Sequence, residues 1–182
     1  MAGPGLASRL DAIGANSIEG VYYRHVAADR DPRSGLGARI NGGRWNPPES
    51  FPTLYLAEDV ETVIREFYRL ARRQGLHPRD FLPRDLYTFE VQLEAVLDLR
   101  PDAARERMGL ALAELRGDDA RACQASGEAA HRLGLEGLAA PSAAAGGGAV
   151  FAVFLDRLRP GARLEPTSSE RWDEPPPEPA PA

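Results

Sequence analysis

Lysine is absent from the 182-residue sequence, and cysteine and histidine are scarce. All 22 basic residues are arginines, so neither a Schiff-base lysine nor the lysine of a Walker A phosphate loop is available. The one cysteine, Cys123, excludes an internal disulfide and a zinc site built from several cysteines. The histidines, His25, His77 and His131, show no metal-ligand spacing. We therefore expect no metal site.

Long apolar runs and a basic excess are also missing. No run reaches the roughly 18 apolar residues of a membrane span. The first residues lack a basic start followed by an apolar stretch, which argues against a secretory signal and favours the cytoplasm. Residues 165–182 hold five acids and one arginine, so they carry −4 of the net charge of −5. A nearly neutral body argues against direct nucleic-acid binding.

The length and the 43% hydrophobic content fit one folded domain. We predict an N-terminal helix and extension at residues 1–19, a folded domain at 20–164 and a tail at 165–182. The tail contains six prolines and five acids. Such a segment buries little apolar surface, so we expect it to be disordered.

Hydrophobic periodicity predicts a mixed α/β (α+β) fold, with helices inserted between the strands. Expected helices span 6–13, 60–74 after an Asp59 cap, 102–115 and 118–133. Expected strands span 21–23, 53–57, 86–93, 96–99, 137–140 and 150–155. No glycine fingerprint opens a helix after a strand, so a dinucleotide-binding Rossmann fold is disfavoured. The long loop at 29–50 is expected to be either functional or disordered.

Two segments carry side chains suited to binding an anionic or aromatic ligand. Arg24 ends a strand, where its forked donors suit a phosphate or carboxylate. The alternative is a surface arginine beside an edge strand. The segment 41–47, NGGRWNP, combines paired glycines with a cation, a stacking ring and amides. Its alternative is a turn whose tryptophan covers the core.

Two further residues are candidates for the chemistry. Glu66 lies at the margin of the apolar face of the helix that follows Asp59, where a carboxylate can point into a cleft. Alternatively it pairs on the helix surface with Arg65, Arg69 or Arg73. Ser142 follows a short strand and precedes a glycine-rich stretch. It lacks the G-x-S-x-G context of a hydrolase nucleophile, so we do not assign it that role.

Together these residues resemble the RES family, named for an arginine, a glutamate and a serine. The likeness covers about residues 20–160 and rests on motifs in this order: Tyr23-Arg24, Gly42-Gly43-Arg44-Trp45-Asn46, Leu54-Tyr55-Leu56-Ala57, Glu66 and Pro141-Ser142. A G-G-R-W-N segment followed by Y-L-A and a helical glutamate is fairly specific, whereas any one piece alone is weak.

The resemblance implies a single domain with a fold like that of ADP-ribosyltransferases, in which helices are inserted between the strands of a split β core. It also implies a toxin of a type II toxin–antitoxin pair. It also implies cleavage of the nicotinamide–ribose bond of NAD⁺ by hydrolysis or phosphorolysis. NAD⁺ is then a substrate, with inorganic phosphate as a possible co-substrate and no metal. The implied partner is an antitoxin with an Xre-type helix-turn-helix.

The same resemblance implies roles for the matching residues. Arg24, Glu66 and Ser142 are the expected catalytic residues. The expected NAD⁺-binding residues are Arg24, Arg44, Trp45, Asn46, Tyr55 and Ser142. A carboxylate beside the ribose stabilises the positive charge that develops when nicotinamide leaves, arginines hold the pyrophosphate, and a tyrosine ring offers a face to nicotinamide.

Two alternatives remain open at this level. One is a transferase that attaches ADP-ribose to a specific protein. The other is a module that binds a nucleotide or a partner without turnover.

Overall fold

The structure, a computed structural model, describes residues 5–181, apart from the side chain at position 7. Its helices are α1 Leu6–Ile13, α2 Leu36–Asn41, α3 Val60–Gln74, α4 Asp102–Met108, α5 Leu112–Arg116, α6 Arg121–Arg132 and a 3₁₀ turn at Pro78–Phe81. Its strands are β1 Asn16–Ala27, β2 Thr53–Ala57, β3 Arg84–Asp98, β4 Gly137–Pro141, β5 Ala149–Phe154 and β6 Arg163–Trp172. The predicted mixed α/β class is confirmed.

The sheet has the strand order β1-β2-β5-β4-β3-β6, and an additional β1–β3 pairing closes the first five strands on themselves and leaves β6 outside. Five strands therefore form a barrel-like ring, in which β3 and β4 are parallel and the other pairs are antiparallel. Apolar side chains from all five strands of the ring pack together, among them Tyr22, Leu56, Phe89, Ala139 and Phe151. A second core lies between the sheet and helices α1, α4 and α6.

Strand β3 is one 15-residue strand, whereas the sequence predicts two strands at 86–93 and 96–99. The buried carboxylate of Glu136 explains the continuity. Its Oε2 accepts hydrogen bonds from the backbone nitrogens of Glu94 and Ala95, at 2.7 and 2.9 Å. These bonds satisfy the backbone at the point where the apolar pattern breaks.

The prediction that the tail from Glu165 is disordered is wrong. Residues 163–172 form β6, which pairs with β3 from Arg84 to Gln92. Trp172 is buried against Phe67 and His25. An edge of β3 that is free beyond β4 supplies the hydrogen bonds that the tail's own composition does not predict.

Two other boundaries differ from the expectation. The helix predicted at 102–115 is two short helices, because Gly109 adopts a left-handed conformation at the end of α4. The loop at 29–50 contains the short helix α2. Within residues 5–181, no helix has the length and apolar character needed to cross a membrane.

Helix α3 positions the candidate site and has three faces. Asp59 caps it by accepting from the Thr62 nitrogen, and Gly75 ends it in a left-handed conformation. An apolar face that includes Val63, Phe67 and Ala71 packs into the core. The remaining surface is divided between two polar stripes, which contact different parts of the chain.

One polar stripe of α3 holds the end of the chain. The Tyr68 hydroxyl donates to the Pro176 carbonyl at 2.8 Å. Arg72 pairs with Glu178 at 2.5 Å, and Arg65 donates to the Ala180 carbonyl at 3.0 Å. The acidic, proline-rich segment after β6 therefore lies along the basic surface of the helix.

Candidate functional site

Glu66 and Ser142, 76 residues apart in sequence, are in direct contact. The Ser142 hydroxyl donates to Glu66 Oε1 at 2.5 Å, and the Ala144 nitrogen donates to the same oxygen at 3.2 Å. Neither donor contacts Oε2, so the second carboxylate oxygen keeps its acceptor capacity. Glu66 thus contacts a neighbouring loop, and among residues 5–181 it forms no ion pair within 4.0 Å with Arg65, Arg69 or Arg73.

The loop at residues 142–148 is held against α3 by backbone contacts. The Gly148 nitrogen donates to Thr62 Oγ1 at 2.8 Å, one turn of α3 before Glu66. The Ser142 nitrogen donates to the Gly148 carbonyl at 2.8 Å and closes the loop. A Cβ at Gly147 would crowd Ser142, and one at Gly148 would overlap the Glu58 carboxylate. The glycine run is thus needed for close approach.

Ser142 has no exposed surface, so its hydroxyl reaches Glu66 rather than solvent. A buried hydroxyl that donates to one carboxylate oxygen orients the carboxylate. This geometry agrees with the decision not to assign Ser142 as a nucleophile, and it makes direct contact with a ligand unfavourable for this side chain.

The segment around Arg44 forms a second cluster with Tyr55. The Tyr55 hydroxyl donates to Asn46 Oδ1 at 2.7 Å and accepts from the Trp45 nitrogen at 2.9 Å. Burial raises the pKa of Tyr55, so the phenol stays neutral. The Gly43 backbone lies against its ring, where a Cβ would clash. The Tyr55 ring therefore locks the glycine-rich turn in place.

Trp45 and Asn46 have no exposed surface. The Trp45 ring packs in the core beside Leu115 and Cys123, so it has no free face on which a ligand could stack. The side-chain amide nitrogen of Asn46 donates to the Ala38 carbonyl at 2.7 Å. For Trp45 the structure shows the alternative in which a turn places its tryptophan over the core.

Arg44 reaches a different loop. Its Nη1 donates to the Leu115 carbonyl at 2.9 Å and its Nη2 to the Gly117 carbonyl at 2.8 Å. The guanidinium ties the turn at 42–46 to the end of α5, and these two bonds leave its other N–H groups available.

Arg24 follows Tyr22 by two residues, so both point to the same face of β1, inside the ring. Its Nη2 donates to the Ser34 carbonyl at 3.2 Å, while Nη1 is buried without a partner among residues 5–181. Burial and the charge of Arg84 lower the pKa of Arg24 to about 10, so it remains positive at neutral pH. A buried, unpaired guanidinium N–H is costly unless an anion completes it.

Arg69 connects the two clusters electrostatically. It lies one turn after Glu66 on α3 and interacts with both Glu66 and Arg44. The structure thus brings Glu66 and Ser142 together. It relates this pair to the cluster of Arg44 and Tyr55 through Arg69, whose charge interacts with both Glu66 and Arg44. Within the described part of the chain, no hydrogen bond or ion pair joins Arg24 to Glu66 or to Tyr55.

Sequence reasoning missed Thr62 and gave Arg69 only as a surface partner of Glu66. A signal for both exists. Positions 62, 66, 69 and 73 fall within about 60° of one another on a helix of 3.6 residues per turn. These four positions form a polar stripe away from the apolar face of the helix. Such a stripe indicates that the helix contacts another part of the chain in addition to the core.

The fold and the site define a small α/β protein with a barrel-like sheet and a carboxylate held by a buried serine. The family model for the RES domain matches residues 20–176. The chain belongs to the RES domain family.

Curated relatives support the assignment. The chain is 42% identical over 159 residues to proteins named NAD(+) phosphorylase MbcT from Mycobacterium bovis and Mycobacterium tuberculosis. These alignments cover 86% of this chain and 85% of each relative. A crystal structure of the M. tuberculosis MbcT–MbcA toxin–antitoxin complex matches with a TM-score of 0.85 and 37% identity, over 92% of this chain and 91% of that one.

Proposed function

We propose that this protein is an NAD⁺-consuming toxin that cleaves the nicotinamide–ribose bond and transfers ADP-ribose to inorganic phosphate. The observation that carries the proposal is the Glu66 carboxylate, fixed through Oε1 by Ser142 and Ala144 with Oε2 left available. The 42% identity to proteins named NAD(+) phosphorylase over most of the chain supports this substrate and reaction.

In this mechanism Glu66 is the catalytic residue and Ser142 is a positioning residue. When the C–N bond breaks, positive charge develops on the ribose, and a nearby carboxylate stabilises it. The Ser142 hydroxyl and the Ala144 nitrogen hold that carboxylate in one orientation. Such preorganisation stabilises the transition state without reorganisation during the reaction.

The arginines are proposed to hold the anionic parts of the substrate. Arg24 offers a buried Nη1 without a partner, which suits a phosphate oxygen. The N–H groups of Arg44 that do not bind the carbonyls of Leu115 and Gly117 are proposed to face the pyrophosphate. We assign Trp45, Asn46 and Tyr55 to the support of this turn rather than to substrate contact.

An antitoxin is the proposed partner, because the structural neighbour is a toxin–antitoxin complex. We further propose that the partner is of the Xre helix-turn-helix type and that the toxin acts in the cytoplasm, where the NAD⁺ pool lies. Co-purification of the chain with the product of an adjacent helix-turn-helix gene tests the partner.

The activity is tested by incubating the purified chain with NAD⁺, with and without phosphate, and measuring nicotinamide and ADP-ribose 1-phosphate. Glu66→Gln keeps acceptors for both hydrogen bonds but removes the charge. We expect it to slow nicotinamide release by about 10²–10³-fold, the usual cost of losing one preorganised electrostatic group. Circular dichroism checks that the fold is retained.

Glu61→Gln is the matched control, since Glu61 is exposed on the same helix and pairs with Arg65. It should release nicotinamide at the normal rate. Equal formation of free ADP-ribose with and without phosphate would show that the reaction is hydrolysis rather than phosphorolysis. A discrete labelled protein band from labelled NAD⁺ would indicate protein ADP-ribosylation, and binding of NAD⁺ without any product would make the chain a binding module.

A further inference from the structure

Helix α3 carries four arginines, and three of them have partners. Arg65 pairs with Glu61 at 2.8 Å, Arg72 pairs with Glu178, and Arg73 pairs with Asp118 at 3.7 Å. Among residues 5–181, Arg69 makes no hydrogen bond and no ion pair within 4.0 Å. Arg69 is partly buried, so its guanidinium offers donors that no described residue accepts.

The position of Arg69 on α3 lies between two loops. On the same stripe of the helix, Thr62 and Glu66 contact the loop at 142–148, and Arg73 reaches Asp118 in the loop after α5. Arg69 therefore stands where the helix spans from one loop to the other. Arg44, which is tied to that second loop by its bonds to the Leu115 and Gly117 carbonyls, is near enough for its charge to act on Arg69.

The charges around Arg69 make this place suited to an anion. The Glu66 and Asp118 carboxylates attract its charge, while Arg44 and Arg73 repel it. Burial lowers the pKa of Arg69, yet a guanidinium remains protonated near neutral pH. A dianion bound to Arg69 would offset the repulsion between Arg69 and Arg44. It would also accept hydrogen bonds from the Arg69 N–H groups that have no partner among residues 5–181.

On the basis of the proposed function, we propose that Arg69 binds the inorganic phosphate that attacks the ribose beside Glu66, with the positive charge of Arg44 nearby. The forked donors of arginine match two phosphate oxygens at once. Three residues separate Arg69 from Glu66, which puts both side chains on neighbouring positions of one helix face. The nucleophile and the stabilising carboxylate are then held by the same rigid element.

The step is balanced without another reactant. An oxygen of HPO₄²⁻ forms a C–O bond to the anomeric carbon of the ribose while the C–N bond breaks. The electron pair of that bond leaves with nicotinamide, which departs neutral. No proton transfer and no redox change is required, and the product is a ribose 1-phosphate ester.

Two measurements on the full chain test the role of Arg69. In the first, nicotinamide release is followed at saturating NAD⁺ against phosphate concentration. Arg69→Gln is expected to raise the phosphate concentration for half-maximal rate by about tenfold or more, the loss for one charge-assisted hydrogen bond. The KM for NAD⁺ should change less than twofold. Arg69→Lys keeps the charge without the fork and should lie between the two.

In the second, the rise in Tm caused by inorganic phosphate is compared with that caused by chloride at equal ionic strength, without NAD⁺. The rise should be lost in Arg69→Gln and kept in Arg72→Gln, a control on the tail-facing stripe of α3. If Arg69→Gln loses the phosphate-induced rise in Tm but neither the unmodified chain nor any variant turns over NAD⁺, the phosphate site is supported and the proposed function is rejected. Phosphate-dependent turnover that Arg69→Gln leaves unchanged, or no phosphate effect in the unmodified chain, would overturn the role of Arg69.

Discussion

At the scale of single residues, burial decides which arginines are structural and which are available. Arg105 is buried and donates to the Leu99 carbonyl at 2.8 Å and to Asp102, so its charge is satisfied within the fold. Arg24 and Arg69 are not satisfied in this way. An unpaired buried donor is costly, and this applies to Arg24 Nη1. Arg69 is only partly buried, but its donors have no acceptor among residues 5–181, so an anionic ligand can bind there as well.

His25 illustrates a partly buried residue with a structural role. Its ring lies 5.3 Å from that of Phe67 and 5.8 Å from that of Trp172. Its Nδ1 accepts from Arg84 Nε at 2.5 Å, which requires that nitrogen to be unprotonated. Burial, Arg84 and Arg24 lower the pKa of His25 well below its usual value.

We expect stability to fall as the pH is lowered through and below about 6.5, the ordinary histidine pKa. In that range His25 is protonated in the unfolded chain but stays neutral in the folded protein. The free energy of unfolding therefore decreases as the pH decreases. Urea midpoints measured from pH 7.5 to 5.5 check this trend. His25→Gln should flatten it, while His77→Gln, at an exposed position, should not; an unchanged slope in His25→Gln would contradict the assignment.

At the scale of elements, close approach between α6 and the turn at 42–46 depends on one glycine. A Cβ at Gly127 would overlap the carbonyl of Trp45, which is backbone and cannot swing away. The Gln124 side chain on the same helix donates to the Gly43 carbonyl at 2.9 Å. Helix α6 therefore supports the same turn that Tyr55 supports from β2.

Gly127→Ala should lower the free energy of unfolding by about 1–3 kcal/mol, because overpacking outweighs the gain in helix propensity. Gly37→Ala is the matched control, since Gly37 is also helical and nothing lies within 4 Å of its added Cβ. We expect the control to be neutral or slightly stabilising. Chemical denaturation of both variants decides between them, and equal stabilities would remove the proposed contact.

At the scale of the whole molecule, β6 is part of the folded unit. It covers β3 over the residues that β4 does not reach. Its last residue, Trp172, packs on α3 through Phe67. The helix that carries Glu66 and Arg69 is therefore held from one side by the end of the chain.

Trp172→Ala should lower the free energy of unfolding by about 3–5 kcal/mol, the usual cost of truncating a buried aromatic residue. A chain that ends at Asp173 keeps β6 but loses the Tyr68–Pro176 and Arg72–Glu178 contacts. Since such exposed pairs contribute little, we expect a loss of about 1 kcal/mol or less. Urea denaturation compares the two, and equal losses would show that the segment after β6 matters as much as Trp172.

Much of the local structure could be predicted from the sequence. The strand at 53–57 and the helix at 6–13 have the predicted bounds, and α3 has its predicted cap and end. Apolar periodicity, Asp59 and Gly75 act over a few residues, so they can be read without the fold. The resemblance also placed Glu66 and Ser142 in one site, which their hydrogen bond agrees with.

The remainder depended on contacts between distant residues. Proline and acid content predicted disorder for 165–182, yet β6 forms because β3 presents an open edge to it. The NGGRWNP turn left open whether Trp45 contacts a ligand or covers the core, since its burial is decided by α6 and β2 on either side. Likewise, the sequence does not distinguish Arg69 from Arg65 and Arg73 near Glu66. The structure distinguishes it, because Arg65 pairs with Glu61 and Arg73 with Asp118.

The amino-acid order alone determined the class of fold, the family and the residue types available for catalysis, because these follow from local patterns and motifs. Only the tertiary structure decided which charges are satisfied internally and which remain free for a ligand. That division follows from burial and from the pairing of groups far apart in the chain, and both arise when strands and helices pack together.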